Sequence, residues 1–279
     1  MIINKNSILN RKGKKSILVD TFYKEDVPNQ PIVLFCHGYK GFKDWGAWDL
    51  MGKKIAEAGN CFVKFNFSHN GGTIENPIDF PDLEAFGNNN YSIELDDLND
   101  VISWVIAHFI THPKIDCSQI TLIGHSRGGG ITILKASEDN RVTKLITLAS
   151  VSDFEKRTVT TSDLDEWKAK GVKYVINGRT KQQMPHYYQF YEDFIANKER
   201  FHIASAEKRL DIPHLIIHGD NDTSISMDEA YALHQWNPNS KLVIIDGADH
   251  VFNVKHPWTS NQLSSELDIV VESIITFVK

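Results

Sequence analysis

Short apolar runs bounded by turn residues alternate along this chain with stretches whose apolar residues recur three or four positions apart. The runs are SILVD (16–20), PIVLFCHG (31–38), CFVKFNF (61–67), QITLIG (119–124), KLITLAS (144–150), HLIIHG (214–219) and KLVIID (241–246). Runs this apolar suit strands of a parallel sheet covered on both faces. Between them the pattern predicts helices over 48–58, closed by Gly59, and over 95–109, stopped before Pro113. A third starts after Ser226, where Ser226 and Glu229 have the spacing of a capping box, and runs to about Gln235. Leu267, Val270, Val271, Ile274, Ile275 and Val278 mark a final amphipathic helix. Right-handed crossovers joining such units give an α/β fold with a mostly parallel, doubly wound sheet flanked by helices.

Residues 152 to about 209 break this rhythm. They contain no convincing apolar strand, but many charges and aromatics, among them Trp167, Tyr174, Tyr187, Tyr188, Phe190, Tyr191 and Phe194. A structureless loop of this length is improbable in a compact domain, so a small helical lid over one end of the sheet is expected, inserted into a single domain spanning 1–279. Its aromatics would line a pocket or form their own core, and the pattern leaves both open. Arg179, Lys181 and His186 read as surface charges rather than as a site for a substrate carboxylate.

The chain has 279 residues, 41% hydrophobic and 24% charged, with a formal net charge of −6. These values fit a folded globular protein and disfavour nucleic acid as a partner. No window approaches the roughly 18 consecutive apolar residues of a membrane span. The start lacks the apolar core of a secretory signal. Three scattered cysteines, Cys36, Cys61 and Cys117, point to reduced thiols in the cytoplasm rather than to a disulfide framework or a zinc site.

One stretch concentrates the candidate chemistry. TLIGHSRGGG (121–130) places Gly124, Ser126 and Gly128 in a Gly-x-Ser-x-Gly pattern directly after a strand and before a segment able to continue as a helix. Strand, sharp turn and helix make a nucleophile elbow, in which small neighbours let the serine take up a strained backbone and expose its hydroxyl. A serine needs a base, and histidine titrates near neutral pH. Of twelve histidines, His250 in GADHVF follows the last strand and emerges at the same sheet end. An acid to orient it is offered by Asp220 or Asp222 in HGDNDTSI, after the preceding strand.

The order Ser, Asp, His, together with HGYKG, GHSRGG, HGDNDTSI and GADHVF, resembles the α/β-hydrolase superfamily over nearly the whole chain outside the insertion. HGYKGFKDWG with KFNFSHNG is similar, more narrowly, to the bacterial dienelactone hydrolase, cinnamoyl esterase and serine aminopeptidase-like group. The resemblance implies that Asp222 is the acid, and that the backbone N–H groups of Tyr39 and Arg127 form an oxyanion hole. It implies a serine hydrolase acting on a small-molecule acyl ester, with neither cofactor nor metal. An aminopeptidase, amidase or thioesterase would use the same residues, with Glu166, Glu192 or Asp193 available to hold a free amine. A non-catalytic ligand-binding module on the same scaffold is the third expectation.

Other signals read as structural. His108 and His112, in HFITH, lack the glutamate of a zinc-protease helix and fit surface or capping roles. Glu94, Asp96, Asp97 and Asp100 lack calcium-loop spacing and read as a solvated helix start. GHSRGGG lacks the ending of a phosphate-binding loop.

Overall fold

A computed structural model describes residues 1–159 and 164–279. In chain order the first half contains β1 (Ile2–Leu9), β2 (Ile17–Tyr23), β3 (Gln30–Cys36), α1 (Trp48–Glu57), β4 (Cys61–Phe65), α2 (Leu83–Gly87), α3 (Tyr91–Phe109), β5 (Ile115–His125), α4 (Arg127–Glu138) and β6 (Val142–Leu148). The insertion follows with α5 (Phe154–Val159), α6 (Leu164–Lys170), β7 (Val172–Ile176), β8 (Gln183–Tyr187), α7 (Gln189–Ala196) and α8 (Ile203–Arg209). The chain then returns through β9 (His214–Gly219), α9 (Met227–Trp236), β10 (Lys241–Ile245) and α10 (Ser265–Val278).

Eight strands form one sheet in the order β1-β2-β4-β3-β5-β6-β9-β10. From β4 to β10 every neighbouring pair is parallel, whereas β1 with β2 and β2 with β4 are antiparallel. Alternate residues of the central strands feed two cores. Ile32, Leu34, Val63 and Leu122 face the α3 and α4 side, with Leu98, Ile102 and Ile131. Val33, Phe35, Phe62 and Ile123 face the other, against Met51 and Ile55 of α1 and Val270, Val271 and Ile274 of α10. Burial on both faces explains why these strands read as continuous apolar runs.

The pattern missed β1 and the β7–β8 hairpin. Most of β1 is exposed along its length and it bulges between Asn4 and Ser7, so it has no buried face to announce. Within the insertion, expected to be helical, β7 pairs antiparallel with β8 while Tyr174 and Ile176 lie exposed. Residues 160–163, which belong to the proposed lid, lie outside the described residues. At the start of α9 the Ser226 hydroxyl accepts from the Asp228 N–H, but Glu229 does not close a capping box. Its carboxylate accepts from Ser152 N and Oγ and from Arg157 instead.

One buried charge cluster fixes the loop after β3. Lys43 and Lys64 are fully buried, and both ammonium groups reach Asp20 of β2, at 2.9 and 3.3 Å. Asp44 bridges the same two lysines, and Lys64 also pairs with Asp49 of α1. Lys64 Nζ donates to Lys43 O at 2.8 Å, and Asn66 Oδ1 accepts from Lys43 N at 2.7 Å. The Asp20, Asp44 and Asp49 carboxylates converge closely enough to suggest a metal site. Lysine ammonium groups, including Lys5 at 2.6 Å from Asp49, already provide their countercharge, so the donor set does not fit a resident cation. Removing one buried partner leaves the others uncompensated. Lys64→Met should therefore lower the unfolding free energy by about 3–5 kcal/mol in urea titrations; a change below about 1 kcal/mol would contradict a structural role for the cluster.

Candidate active site

The site forms where β5 turns into α4. Ser126, between them, has φ 57° and ψ −120°, a left-handed conformation that costs a non-glycine residue on the order of 1–3 kcal/mol. Its neighbours permit the turn. A Cβ on Gly124 would strike the Gly128 carbonyl and Thr132 Oγ1, and one on Gly128 would lie 2.5 Å from His37 O. Ser126 N donates to Leu148 O of β6 at 2.9 Å, and Gly129 N returns to Ser126 O at 3.0 Å. The hydroxyl is thereby presented above the carboxyl ends of the strands.

His250 reaches it from the loop after β10. Its Nε2 lies 3.1 Å from Ser126 Oγ, and its Nδ1 lies 2.8 Å from Asp222 Oδ2. Asp222 follows β9, with Oδ1 accepting from the N–H groups of Ser224 and Ile225 at 2.8 and 2.9 Å. Burial alone would raise this carboxyl, but hydrogen bonds from His218 and His250, the His250 charge and the Ile225 N–H outweigh it and hold it well below the usual carboxylate range. Asp220 points elsewhere, accepting from Gly247 N at 2.7 Å, and Asp249 accepts from the N–H groups of Val251 and Asn253. Of Asp220, Asp222 and Asp249, Asp222 is the carboxylate that the His250 ring meets.

Tyr39 and Arg127 flank the hydroxyl. Arg127 opens α4, where the first N–H groups have no acceptor within the helix. Gly38 packs so close that a Cβ there would lie 2.9 Å from Ser126 Cβ, which brings the Gly38–Tyr39 backbone beside the serine.

Several contributing side chains carry no recognisable signal in the sequence. His125 Nε2 donates to His250 O at 2.9 Å, holding the loop that carries the imidazole. His218 is fully buried; its Nε2 donates to Ile225 O at 2.9 Å and stands 3.3 Å from Asp222. Tyr39 Oη lies 2.6 Å from His186 Nε2 of β8, so the insertion docks onto the loop beside the serine. His186, read as a surface charge, instead belongs to the site wall. Arg179 and Lys181 do lie outside it, paired with Asp79 and with Gly178 O.

The acidic start of α3 is solvated at Asp96 and partly at Asp100, but not throughout. Glu94 and Asp97 are buried. Asp97 pairs with Arg11 at 2.5 Å and accepts from Ser68 N, while Glu94 Oε1 lies 3.5 Å from Arg127. The N-cap is Asn90, whose side chain accepts from Ile93 N.

A cavity of about 550 Å³ opens above Ser126 and His250, roofed by the insertion. Phe154, Trp167 and Phe190 of the insertion line it together with Tyr91, while Phe194 and Phe201 stack into the core beside Tyr91. The insertion's aromatics thus divide between pocket and core. A smaller cavity of about 140 Å³ lies on the other side of Ser126, against Trp45, Trp48 and Val251.

Two outcomes follow for stability. Ser126→Gly relieves the left-handed backbone, so it should be more stable than Ser126→Ala by about 1 kcal/mol in urea unfolding; equal stabilities would refute strain at the turn. Burial holds His37 at about 4, and burial with the neighbouring His250 and Arg127 charges holds His125 and His186 at about 3. The unfolded chain takes up protons near pH 6.5 that these rings refuse, each unit of difference being worth about 1.4 kcal/mol. Stability is therefore lost as pH falls from about 6.5 towards 4, and the slope should be shallower in His125→Gln than in the parent.

Comparison with known proteins agrees with this architecture. The chain is 24% identical to the non-heme chloroperoxidase CPO-A1 of Kitasatospora aureofaciens, over 83% of this chain and 89% of that protein. It superposes on Est1E from Butyrivibrio proteoclasticus with ferulic acid bound, at a TM-score of 0.73 and 17% identity over 97% of both chains. An esterase domain from a Rhodothermus marinus protein matches with a TM-score of 0.65 and 19% identity, over 99% of this chain and 98% of that one. These likenesses establish the α/β-hydrolase fold. Residues 24–237 match the BD-FAE family model, and the chain is therefore a member of the BD-FAE family within the α/β-hydrolase superfamily.

Proposed function

We propose that this protein is a serine hydrolase that cleaves carboxylic esters through an acyl-enzyme intermediate. The observation that carries the reading is the continuous hydrogen-bonded chain from Ser126 Oγ through His250 to the Asp222 carboxylate, at the floor of an aromatic cavity. In this mechanism His250 Nε2 takes the Ser126 proton as Oγ adds to the ester carbonyl. Asp222 keeps the proton on Nδ1 and stabilises the imidazolium. The Arg127 and Tyr39 N–H groups receive the oxyanion. His250 then protonates the departing alcohol, and a water molecule activated by the same ring releases the acid. The partner is a small-molecule acyl ester, and the scheme calls for neither metal nor organic cofactor.

Support comes also from the relatives, since a ferulate-bound Est1E and an esterase domain share the fold. An aminopeptidase reading is weakened by where the acids go. Asp193 accepts from Ser92 Oγ, Glu166 pairs with Lys170 at the surface, and Glu192 is exposed. Among the described residues no carboxylate lines the large cavity to receive a free amine. We place the protein in the cytoplasm and read 1–279 as one domain with the lid at about 152–209. The odd cysteine count favours that compartment, and no helix among the described residues is long and apolar enough to cross a membrane.

A fluorophosphonate probe followed by peptide mass spectrometry should mark Ser126, and Ser126→Ala should abolish labelling. With p-nitrophenyl acetate, Ser126→Ala should lose at least about 10³-fold in kcat and Asp222→Asn about 10²–10⁴-fold. Labelling at another residue, or none on folded protein, would sink the reading. Turnover of amino-acid p-nitroanilides above that of the ester would move the assignment to an aminopeptidase.

A further inference from the structure

The walls of the large cavity are aromatic and cationic at once. Lys40, Arg127, Arg157 and Lys173 line it, and no aspartate or glutamate does so among the described residues. Two of the cations have a carboxylate behind the wall. Arg157 pairs with Glu229 at 2.6 Å, and Arg127 has Glu94 Oε1 at 3.5 Å, an oxygen that already accepts from Asn89 at 2.7 Å. Among the described residues, Glu94 Oε1 is the one hydrogen-bond acceptor of the Arg127 guanidinium. Its plane rests instead on aromatic faces, 4.3 Å from Tyr39 and 5.5 Å from both Tyr91 and Phe190.

A guanidinium has five N–H donors in a fork that matches a carboxylate. Here most of them are left to whatever fills the cavity, one residue from Ser126. The lysines extend the same field. Lys40 Nζ lies 5.0 Å from the Tyr39 ring, and Lys173 Nζ lies 3.5 Å from the Trp167 ring. Burial and the Arg127 charge lower Lys40, and burial lowers Lys173 to about 8. A bound anion favours the charged form and so reverses shifts of this sign. His186 completes the wall as a neutral ring, because burial and the Arg127 charge keep it unprotonated down to about pH 3.

We propose that the ester accepted by this site carries a carboxylate on the arm occupying the large cavity, held by the Arg127 guanidinium with Lys40 in support. The proposal rests on the serine hydrolase reading and narrows its substrate to monoanionic esters, such as half-esters of dicarboxylic acids. Hydrolysis adds one water across the acyl C–O bond and releases the alcohol, the dicarboxylate dianion and one proton to solvent. The aromatic rings take up the apolar part of the same arm.

Binding and turnover test it separately. In the Ser126→Ala protein, calorimetry should find monomethyl glutarate bound at least tenfold tighter than the methyl ester of glutaramic acid, its uncharged counterpart. Adding Arg127→Gln should abolish that preference, and Lys40→Met should reduce it. In the parent protein, p-nitrophenyl hemiglutarate should exceed p-nitrophenyl butyrate at least tenfold in kcat/KM, mainly through KM, with the ratio collapsing in Arg127→Gln. Equal or weaker binding of the charged ester overturns the proposal, whether or not the protein turns it over. Equal turnover of both esters with Ser126 still labelled overturns it too and leaves the serine hydrolase reading standing; absence of both labelling and turnover would instead strike that reading.

Discussion

Everything at the candidate site depends on one crowded crossing of backbones. At Ser126 the chain must reverse from β5 into α4 within van der Waals reach of the loop after β3, and only missing side chains make room for it. Gly124 and Gly128 meet each other and the His37 carbonyl, while Gly38 lies against the serine itself. The left-handed Ser126 is held there by its N–H bond to β6 and by the first turn of the helix. Strain of this kind persists only where the surroundings over-determine it, and here they come from three parallel strands.

The rest of the constellation is assembled on neighbouring strand ends. β9 contributes Asp222 and β10 the loop with His250, so the parallel register of these strands brings residues 28 and 124 positions apart into contact. Backbone donors saturate one oxygen of Asp222, leaving the other for the imidazole. Asp220 is consumed in tying the two loops together, which fixes the height of His250 over the sheet.

Charge is distributed with a similar division. Acids are drawn into structural pairs: Asp20, Asp44 and Asp49 around two buried lysines, Asp97 with Arg11, and Glu229 with Ser152 and Arg157. The first cluster anchors the loop that carries Tyr39, and the Tyr39–His186 bond couples that loop to the insertion. Among the described residues, the acidic side chains lie behind the cavity wall and its charged lining is cationic, set among aromatic rings. A chain with an overall negative charge thus has a cavity whose charged lining, among the described residues, is cationic, which net charge alone would not suggest.

The strand and helix rhythm, the serine turn and the identity of the histidine were legible along the chain, because each is encoded locally: in a period of burial, in glycines at a turn, or in a histidine placed after a strand. Strand β1 and the β7–β8 hairpin were not, since neither buries a regular face. Nor were the buried roles of Glu94 and Asp97, the diversion of Glu229 from its helix cap, or the places of His125, His186 and His218. Each depends on a partner from another element, and a carboxylate or imidazole looks the same in a sequence whether water or a distant arginine satisfies it. The chain alone therefore determined the scaffold and the place of the serine turn; which carboxylate meets the His250 ring, and the cationic lining of the cavity, were decided only when folding settled which charges face one another.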